Sequence, residues 1–327
     1  MFLENIKQKA LKKQNLTFEE CVRVIEFPNE DILLLLNAAY DVRKKFVGNT
    51  VQVQLLKNIK SGKCSEDCHY CSQSSISQAD IEKYPLKPLE EIYNNAKIAK
   101  ENKAIRYCMA MSSVKYSDKT IDVLANSIKK IKEDIGIELC CSLGFLTPEQ
   151  AIKLKKAGLD RVNHNLNTSK DYYPSICTTH KYEQRVANIK LCQDTGLEIC
   201  SGGIIGQGES KEDIISMFLE LKQINPNSIP LNFLIPVKGT PFENKSTGLN
   251  PLYCLKILCL ARFMFPDKDI RAAGGREYHL RSLQPLALYA ANSIFVSGYL
   301  TTDGQSIPEG LKMVEDMGFD IEIEGSD

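Results

Sequence analysis

Three cysteines in the first quarter of the chain have the spacing of a metal-binding loop. Cys64, Cys68 and Cys71 follow the pattern C-x-x-x-C-x-x-C, so one short loop can wrap three sulfurs around one inorganic centre. A closed structural zinc site takes four ligands, and this loop supplies only three. Iron–sulfur clusters are held by cysteine thiolates. The loop therefore predicts an iron–sulfur cluster with one iron left open for another ligand.

The overall composition argues against several other classes of protein. Lys and Arg total 41 and Asp and Glu total 41, so the formal net charge is zero and no positive field attracts nucleic acid or acidic lipid. The amino-terminal residues lack the apolar run of a signal peptide, and the apolar stretch 285–300 is too short and too polar to span a bilayer. We therefore expect a cytoplasmic protein with no nucleic-acid and no membrane partner. Without a secretory signal, its 12 cysteines indicate thiolates for metal binding or catalysis instead of disulfides.

The hydrophobic pattern predicts a barrel preceded by helices. Residues 1–47 have a helical pattern, and from Val51 onward short strand-like runs alternate with amphipathic helices. Eight such strands alternating with helices predict an α/β fold, a (β/α)8 TIM-type barrel at 48–327, with 1–47 as a helical N-terminal extension. The predicted strands are 51–59, 103–111, 136–143, 159–166, 196–204, 229–236, 268–274 and 292–298. The predicted helices are about 88–101, 118–134, 148–157, 180–195, 210–224, 250–265, 279–290 and 305–318.

Alternation along the predicted strands indicates a polar barrel interior. Successive strand residues face opposite sides of a sheet, so one parity faces the lumen and the other faces the helices. Most barrels fill the lumen with branched apolar side chains. Here one parity of nearly every strand is polar or small, which predicts a lumen that contains cofactors or substrate. The lumen residues predicted on this basis are Gln52, Gln54, Asn58, Arg106, Cys108, Ala110, Ser112, Glu138, Cys140, Ser142, Arg161, Asn163, Asn165, Glu198, Cys200, Gly202, Asn232, Asp269 and Arg271.

The same alternation separates the remaining cysteines. Three of them share the lumen-facing parity on three different strands, together with one guanidinium, and form a second candidate metal site: Cys108, Cys140, Cys200 and Arg271. Physical chemistry alone assigns Arg271 to anion binding or charge balance, because a guanidinium is normally protonated. Cys141 is predicted to point outward. The other cysteines are predicted to be small buried hydrophobes, and the four histidines indicate no site of their own. These residues are Cys21, Cys177, Cys192, Cys254 and Cys259, and His69, His164, His180 and His279.

These motifs resemble a known group of enzymes. The three-cysteine loop after a first barrel strand, with Tyr70 before its third cysteine, is similar to that of the radical S-adenosylmethionine (SAM) superfamily, as is the segment Gly202-Gly-Ile-Ile-Gly-Gln-Gly-Glu209. Within that superfamily, residues 20–320 resemble the biotin synthase family. The supporting segments are Ser61–Ser75, Arg106–Met109, Arg161–Ser169, Cys200–Ile204, Lys238–Pro241 and Arg271–Glu277.

The resemblance implies a reaction, its cofactors and its site residues. The family converts dethiobiotin to biotin with a 5′-deoxyadenosyl radical formed from SAM at a 4Fe–4S cluster, and a 2Fe–2S cluster donates the sulfur. The catalytic set implied is Cys64, Cys68, Cys71 and Arg271, with the three cysteines holding the 4Fe–4S cluster. The ligands implied for the 2Fe–2S cluster are Cys108, Cys140, Cys200 and Arg271. The SAM-binding residues implied are Tyr70, Asn165, Asn167, Gly202 and Ile204, and the substrate-binding residues are Asn163 and Asn232.

The sequence departs from the family pattern at two places. Asn167 replaces an aspartate found in some members, so it keeps an acceptor and loses a charge. Ala110-Met-Ser-Ser113 stands where other radical SAM enzymes carry G-G-E, which leaves open how the SAM amino group is held.

The resemblance also implies partners, and two alternatives are left open. The implied partners are an electron donor such as flavodoxin or ferredoxin, the iron–sulfur assembly machinery and a second copy of the chain in a homodimer. One alternative is another radical SAM enzyme on the same barrel, which would not need all four lumen ligands. The other is a non-catalytic metal-binding protein, which neutral charge and a three-thiol loop disfavour.

Overall fold

The structure is a computed structural model that describes residues 1–301 and 304–323. The predicted carboxyl-terminal boundary at residue 327 lies outside these residues. Within them the chain forms strands at β1 (Thr50–Lys60), β2 (Arg106–Met111), β3 (Glu138–Ser142), β4 (Arg161–Asn163), β5 (Glu198–Cys200), β6 (Gly203–Ile205), β7 (Ser228–Phe233), β8 (Asp269–Ala272), β9 (Ser293–Val296) and β10 (Asp320–Ile321).

The strands close into a parallel barrel. Neighbours follow the order β1, β2, β3, β4, β5, β7, β8 and β9, with β6 also paired to β7. The barrel closes where β9 returns to β1, with Gln52 opposite Ser293 and Leu55 opposite Val296. Because β5 and β6 together fill one position, eight positions surround the lumen, and the predicted (β/α)8 barrel is confirmed. The short strand β10 was not predicted; it pairs with the start of β1 outside the barrel.

Helices occupy nearly all the predicted ranges. They are α1 (Phe2–Leu11), α2 (Phe18–Ile25), α3 (Ile32–Val47), α4 (Leu89–Glu101), α5 (Asp118–Asp134), α6 (Pro148–Lys156), α7 (Tyr182–Asp194), α8 (Lys211–Ile224), α9 (Pro251–Met264), α10 (Arg276–Leu280) and α11 (Ile307–Asp316). Capping explains several starts: the Thr147 hydroxyl accepts from Gln150 N, and the Gln150 side chain accepts from Thr147 N. Helices α1 to α3 precede β1 and pack against α8 and α9. Among residues 1–301 and 304–323, each helix is too short or too polar to span a lipid bilayer.

The single helix predicted at 279–290 is wrong. The α-helix α10 ends at Leu280, Arg281 adopts a positive φ of 52°, and a 3₁₀ helix follows over Arg281–Tyr289. Pro285 lies inside this segment. Proline has no backbone N–H and its ring clashes with the preceding turn of an α-helix, so the segment cannot continue as one.

The fifth strand is interrupted where it passes β7. A Cβ atom on Gly202 would lie 1.9 Å from the carbonyl oxygen of Pro230, so only glycine allows this approach. Ser201 N donates to Ser228 O at 3.0 Å across the break. The interruption leaves Cys200 as the last residue of β5 and places Gly202 and Gly203 against the neighbouring strand.

Packing confirms the predicted inside–outside pattern. Tyr107, Met109 and Cys141 belong to the large apolar core between the sheet and the helices. Cys108 and Cys140, one position away on the same strands, form a separate small cluster inside the barrel with Leu56 and Ala110. Cys140 and Cys141 therefore face opposite sides of β3, as the period of a strand requires.

Ion pairs close the amino-terminal end of the lumen. Arg106 pairs with Glu138, Arg161 Nη2 lies 2.6 Å from Glu198 Oε2, and Arg161 Nη1 lies 3.5 Å from Asp269 Oδ2. Each of these residues begins its strand. The charged layer therefore lies opposite the three-cysteine loop, which follows the carboxyl end of β1, the end at which barrel enzymes bind their ligands.

Candidate active site

The three-cysteine loop leaves β1 and folds back on itself. Cys64 N donates to Gln73 O at 3.3 Å, and Gln73 Oε1 accepts from Gly62 N at 3.1 Å. Ser75 N donates to Glu66 O at 2.8 Å, and Cys71 N donates to Cys68 O at 3.1 Å. These bonds hold an otherwise irregular segment at the mouth of the barrel, with Cys68 buried and Cys64 and Cys71 half-buried.

The cavity beside this loop at the barrel mouth is named the main cavity because many of the predicted site residues line it. It has a volume of about 240 Å³ and is lined by the loop and by the carboxyl ends of β4, β6 and β7. Seven predicted site residues meet there, namely Tyr70, Cys71, Asn163, Asn165, Asn167, Ile204 and Asn232. Gly202 lies behind the wall, where its N–H donates to Asn165 Oδ1 at 3.1 Å.

The asparagines are fixed by hydrogen bonds. Asn163 Nδ2 lies within 3.3 Å of both Asn165 Oδ1 and Cys200 Sγ. Asn232 Oδ1 accepts from Gly274 N at 3.0 Å, and its Nδ2 donates to Gly203 O at 3.1 Å. Amide groups held in this way present donors and acceptors to the cavity without losing further rotamer freedom on binding.

Asn167 contributes both side-chain and backbone hydrogen bonds to the site. It has a φ of +74°, a left-handed conformation that asparagine tolerates better than most residues. Its Nδ2 donates to the Tyr70 hydroxyl at 2.7 Å, and its carbonyl oxygen accepts from Ile204 N at 2.9 Å. Asn167 therefore links the loop to β6, a role that does not require the charge of aspartate.

The second set of thiols surrounds an adjoining, deeper cavity. Cys108, Cys140 and Arg271 line it together with Asn163. The fourth member of the set, Cys200, accepts from Arg271 Nη1 at 3.4 Å. The structure thus brings together all four residues of the second predicted site, and Asn163 faces both cavities.

Side chains of the neighbouring strands hold Arg271 in place. Its Nε donates to Ser293 Oγ at 3.0 Å and its Nη2 to Ser228 Oγ at 3.2 Å. Its guanidinium carbon lies 4.8 Å from the centre of the Phe295 ring. Only 1% of this residue is exposed. A buried cation so close to Cys200 fits an anionic group in the cavity, because an unpaired buried charge is costly.

Burial and neighbouring groups shift the pKa of several of these thiols. Burial raises the pKa of Cys71 to about 11 and raises the pKa of Cys64. Burial opposes ionisation of Cys108, but a hydrogen bond from Cys140 and the charge of Arg271 lower its pKa overall. A bound cation deprotonates a coordinating thiol outright. Three thiols at the mouth and three thiols with a guanidinium below therefore fit two iron–sulfur clusters.

The sequence did not indicate Arg185, which also lines the main cavity. Its Nη1 lies 3.3 Å from His164 Nε2, and its Nε is buried without a partner among residues 1–301 and 304–323. An arginine in the first turns of a surface helix is normally exposed, so nothing in its sequence context signalled this position. A guanidinium that lines a cavity can bind a carboxylate.

His164, for which no site was predicted, lies beside the main cavity. His164 is buried, its Nδ1 lies 3.1 Å from Leu143 O, and its ring packs 5.4 Å from the ring of Phe145. The regular strand β4 ends at Asn163, so the alternation no longer applies one residue later. Cys177 and His180, predicted as core or loop residues without a role, lie next to Cys68.

Known proteins match this chain along most of its length. The family model of the radical SAM superfamily matches residues 58–221, and that of the biotin and thiamin synthesis associated domain matches residues 230–320. The biotin synthase of Anoxybacillus flavithermus is 48% identical over 318 residues, which cover 97% of this chain and 96% of the relative. The biotin synthase of Bacillus subtilis is 46% identical over 317 residues, covering 97% of this chain and 94% of the relative.

Solved structures with lower identity share the fold. Methylornithine synthase (PylB) superposes with a TM-score of 0.85 at 21% identity, covering 97% of both chains. The FeFe-hydrogenase maturase HydG from Carboxydothermus hydrogenoformans gives a TM-score of 0.81 at 19% identity, covering 97% of this chain and 78% of the maturase. The near-complete match to curated relatives, added to the two adjoining thiol sites in one barrel, identifies the chain as a member of the biotin synthase family of radical SAM enzymes.

Proposed function

We propose that this enzyme converts dethiobiotin to biotin by inserting sulfur into the substrate. The observation that carries the proposal is the pair of adjoining cavities, one beside the three-cysteine loop and one among Cys108, Cys140 and Arg271. A radical SAM enzyme that only generates a radical has no need of the second set. Sulfur insertion requires a sulfur source within reach of the same substrate, and a deeper thiol site in the same lumen meets that need.

The chain supplies ligands, and the cofactors supply the difficult chemistry. Cys64, Cys68 and Cys71 would hold the 4Fe–4S cluster, and the deeper thiols with Arg271 would hold the 2Fe–2S cluster. When bound, the first cluster with SAM furnishes the 5′-deoxyadenosyl radical and the second furnishes sulfur, chemistry that side chains cannot perform. The protein's own contributions are binding, orientation and exclusion of water.

Side chains between the two cavities would orient the substrate. Asn163 faces both cavities, and the Asn232 amide is held by the backbone of Gly203 and Gly274. Amide side chains can pair with the urea-type N–H and C=O groups of dethiobiotin. Apolar residues of the cavity, among them Phe233, would exclude water and stray hydrogen donors from the reacting carbons.

Arg185 is proposed to bind the carboxylate of SAM. Replacing Arg185 by alanine should raise the Kd for SAM by about 10- to 100-fold, since a hydrogen bond to a charged group contributes about 1.5–3 kcal/mol. The measurement is equilibrium dialysis of labelled SAM against the cluster-loaded protein. Lys190→Ala, which removes an exposed cation from the same helix, is the matched control and should leave the Kd unchanged. Equal affinities in the two variants would remove Arg185 from the site.

An anaerobic assay tests the proposed reaction directly. Protein reconstituted with iron and sulfide, then given dethiobiotin, SAM and a chemical reductant, should form biotin together with 5′-deoxyadenosine, both measured by mass spectrometry. Formation of 5′-deoxyadenosine without biotin would favour another radical SAM activity on this barrel. Protein isolated with stoichiometric zinc and no iron would favour a non-catalytic metal-binding protein.

The partners and location proposed for the enzyme follow from its cofactors. Reductive chemistry on SAM requires an external one-electron donor, for which a flavodoxin or a ferredoxin is suited. A sulfur-donating cluster that is consumed must be rebuilt, so we include the iron–sulfur assembly machinery among its partners. Thiolate ligands must stay reduced, and the cytoplasm is a reducing compartment, so we place the enzyme there. A homodimer is proposed from the family resemblance.

A further inference from the structure

A cluster of metal-binding side chains lies behind the three-cysteine loop, outside both cavities. Cys177 Sγ lies 3.8 Å from Cys68 Sγ and 3.3 Å from His180 Nδ1. The two sulfurs and an imidazole nitrogen all lie within 4.8 Å of one another, and the three residues are buried. Within the part of the chain that the structure describes, this is the one group of at least three His, Cys, Asp or Glu ligand atoms that lie so close together.

The orientation of His180 suits a metal ligand. The Tyr173 hydroxyl lies 2.8 Å from His180 Nε2, which leaves Nδ1 facing Cys177 and the Glu66 carboxylate. Metal-binding histidines usually have one ring nitrogen held by a neighbouring polar group, which sets the tautomer and the ring orientation. Tyr173 therefore acts as the positioning group, and Nδ1 is the nitrogen available for coordination.

The donor set matches one class of metal ion. Two thiols and an imidazole are characteristic ligands of Zn²⁺, which binds four ligands in a tetrahedron, and a carboxylate oxygen can serve as the fourth. The Glu66 carboxylate contacts both Thr179 Oγ1 and His180 Nδ1, so it already lies at the edge of the group. Its side chain is only 12% exposed, as a ligand in a closed site should be.

We propose that the cluster-free chain binds one divalent zinc-class ion through Cys68, Cys177 and His180, with Glu66 as the fourth ligand. Cys68 also belongs to the three-cysteine loop. An ion at this site and a 4Fe–4S cluster on the loop therefore compete for the Cys68 sulfur. The zinc-class ion holds the loop in a folded, reduced state until the cluster is assembled. This inference stands apart from the proposed reaction, because it concerns the protein before the clusters are present.

The test uses Co²⁺ as a spectroscopic probe of the full-length, cluster-free chain. The parent protein carries Cys64→Ala and Cys140→Ala, which remove the competing three-thiol sets and keep all four proposed ligands. Titration with Co²⁺ under anaerobic conditions should give one bound ion per chain, with the absorption bands of a tetrahedral site and of thiolate-to-cobalt charge transfer. Absence of these bands in the parent protein would overturn the proposal.

Variants in the same parent identify the ligands. Cys177→Ala should weaken Co²⁺ binding by more than about 100-fold, because loss of a ligand costs more than loss of an outer-shell partner. Tyr173→Phe should weaken it by about tenfold, since it removes the group that orients His180. Cys192→Ala, which removes a buried thiol of α7 with no role in the site, is the matched control and should bind as the parent does.

Folding is monitored separately from metal binding. Far-ultraviolet circular dichroism of each variant shows whether the barrel is intact. If Cys177→Ala is unfolded, Tyr173→Phe and His180→Asn decide the question, and both should weaken Co²⁺ binding. Unchanged affinity in folded Cys177→Ala, or in folded His180→Asn, would contradict the proposal.

Discussion

Replacement of Cys64 by alanine is expected to abolish reductive cleavage of SAM. Cys64 is one of three thiols on a loop that offers no fourth thiol to replace it, and the Cys71 end of that loop opens into the main cavity. The rate of 5′-deoxyadenosine formation should fall below about one thousandth of the wild-type rate, because no side chain can replace the one-electron chemistry of the cluster. Mass spectrometry of 5′-deoxyadenosine measures the loss of SAM cleavage. Iron analysis of the anaerobic protein measures the loss of the cluster.

The control for this experiment removes a thiol that belongs to neither site. Cys192 is fully buried in α7, and burial raises its pKa to about 12, as expected for an inert core thiol. Cys192→Ala should keep both the iron content and SAM cleavage. Continued cleavage of SAM by Cys64→Ala at a rate near that of this control would refute the assignment of the loop.

Cys140 and Cys141 are expected to respond in opposite ways to the same substitution. They are adjacent on β3, but Cys140 belongs to the small cluster inside the barrel and Cys141 to the core beneath the helices. Cys140→Ala should lose the 2Fe–2S cluster and lower biotin formation by more than about 10³-fold, since the sulfur source is a cofactor that no side chain replaces. Cys141→Ala should keep both the cluster and biotin formation.

Two readouts separate this result from general damage to the protein. Mössbauer spectroscopy of the iron-loaded variants distinguishes the two cluster types, and 5′-deoxyadenosine formation reports on the loop cluster alone. Cys140→Ala should still cleave SAM, because Cys64, Cys68 and Cys71 are unchanged. Loss of the second cluster from Cys141→Ala with its retention in Cys140→Ala would contradict both the packing and the assignment of the deeper site.

Local regularities explain why much of the site could be predicted from the sequence. The period of two along a strand separates Cys140 from Cys141 wherever the strand lies, so the members of the deeper site followed from sequence parity. The loop spacing sets three thiols on one short segment without reference to the rest of the fold. Capping residues such as Thr147 mark a helix start through bonds that span only three residues.

Predictions were wrong where the regular period ended. The regular alternation of β4 ends at Asn163, and His164, just past the strand, lies beside the cavity and packs against the Phe145 ring. The helix predicted over 279–290 has suitable periodicity but contains Pro285, and the segment forms a 3₁₀ helix. The break after Cys200 depends on how closely Pro230 of the neighbouring strand approaches Gly202, a distance that periodicity does not contain.

The sequence by itself determined the barrel, the three-cysteine loop and the lumen-facing parity of the other three thiols, because each depends on spacing along the chain. Only the tertiary structure decided that Arg185 enters the main cavity, that Asn163 faces both cavities and that Cys177 lies against Cys68. Cys68 and Cys177 are 109 residues apart. Contacts of this kind form when separate loops meet at one end of the barrel. Neither loop has a local sequence pattern that predicts which residue it will contact.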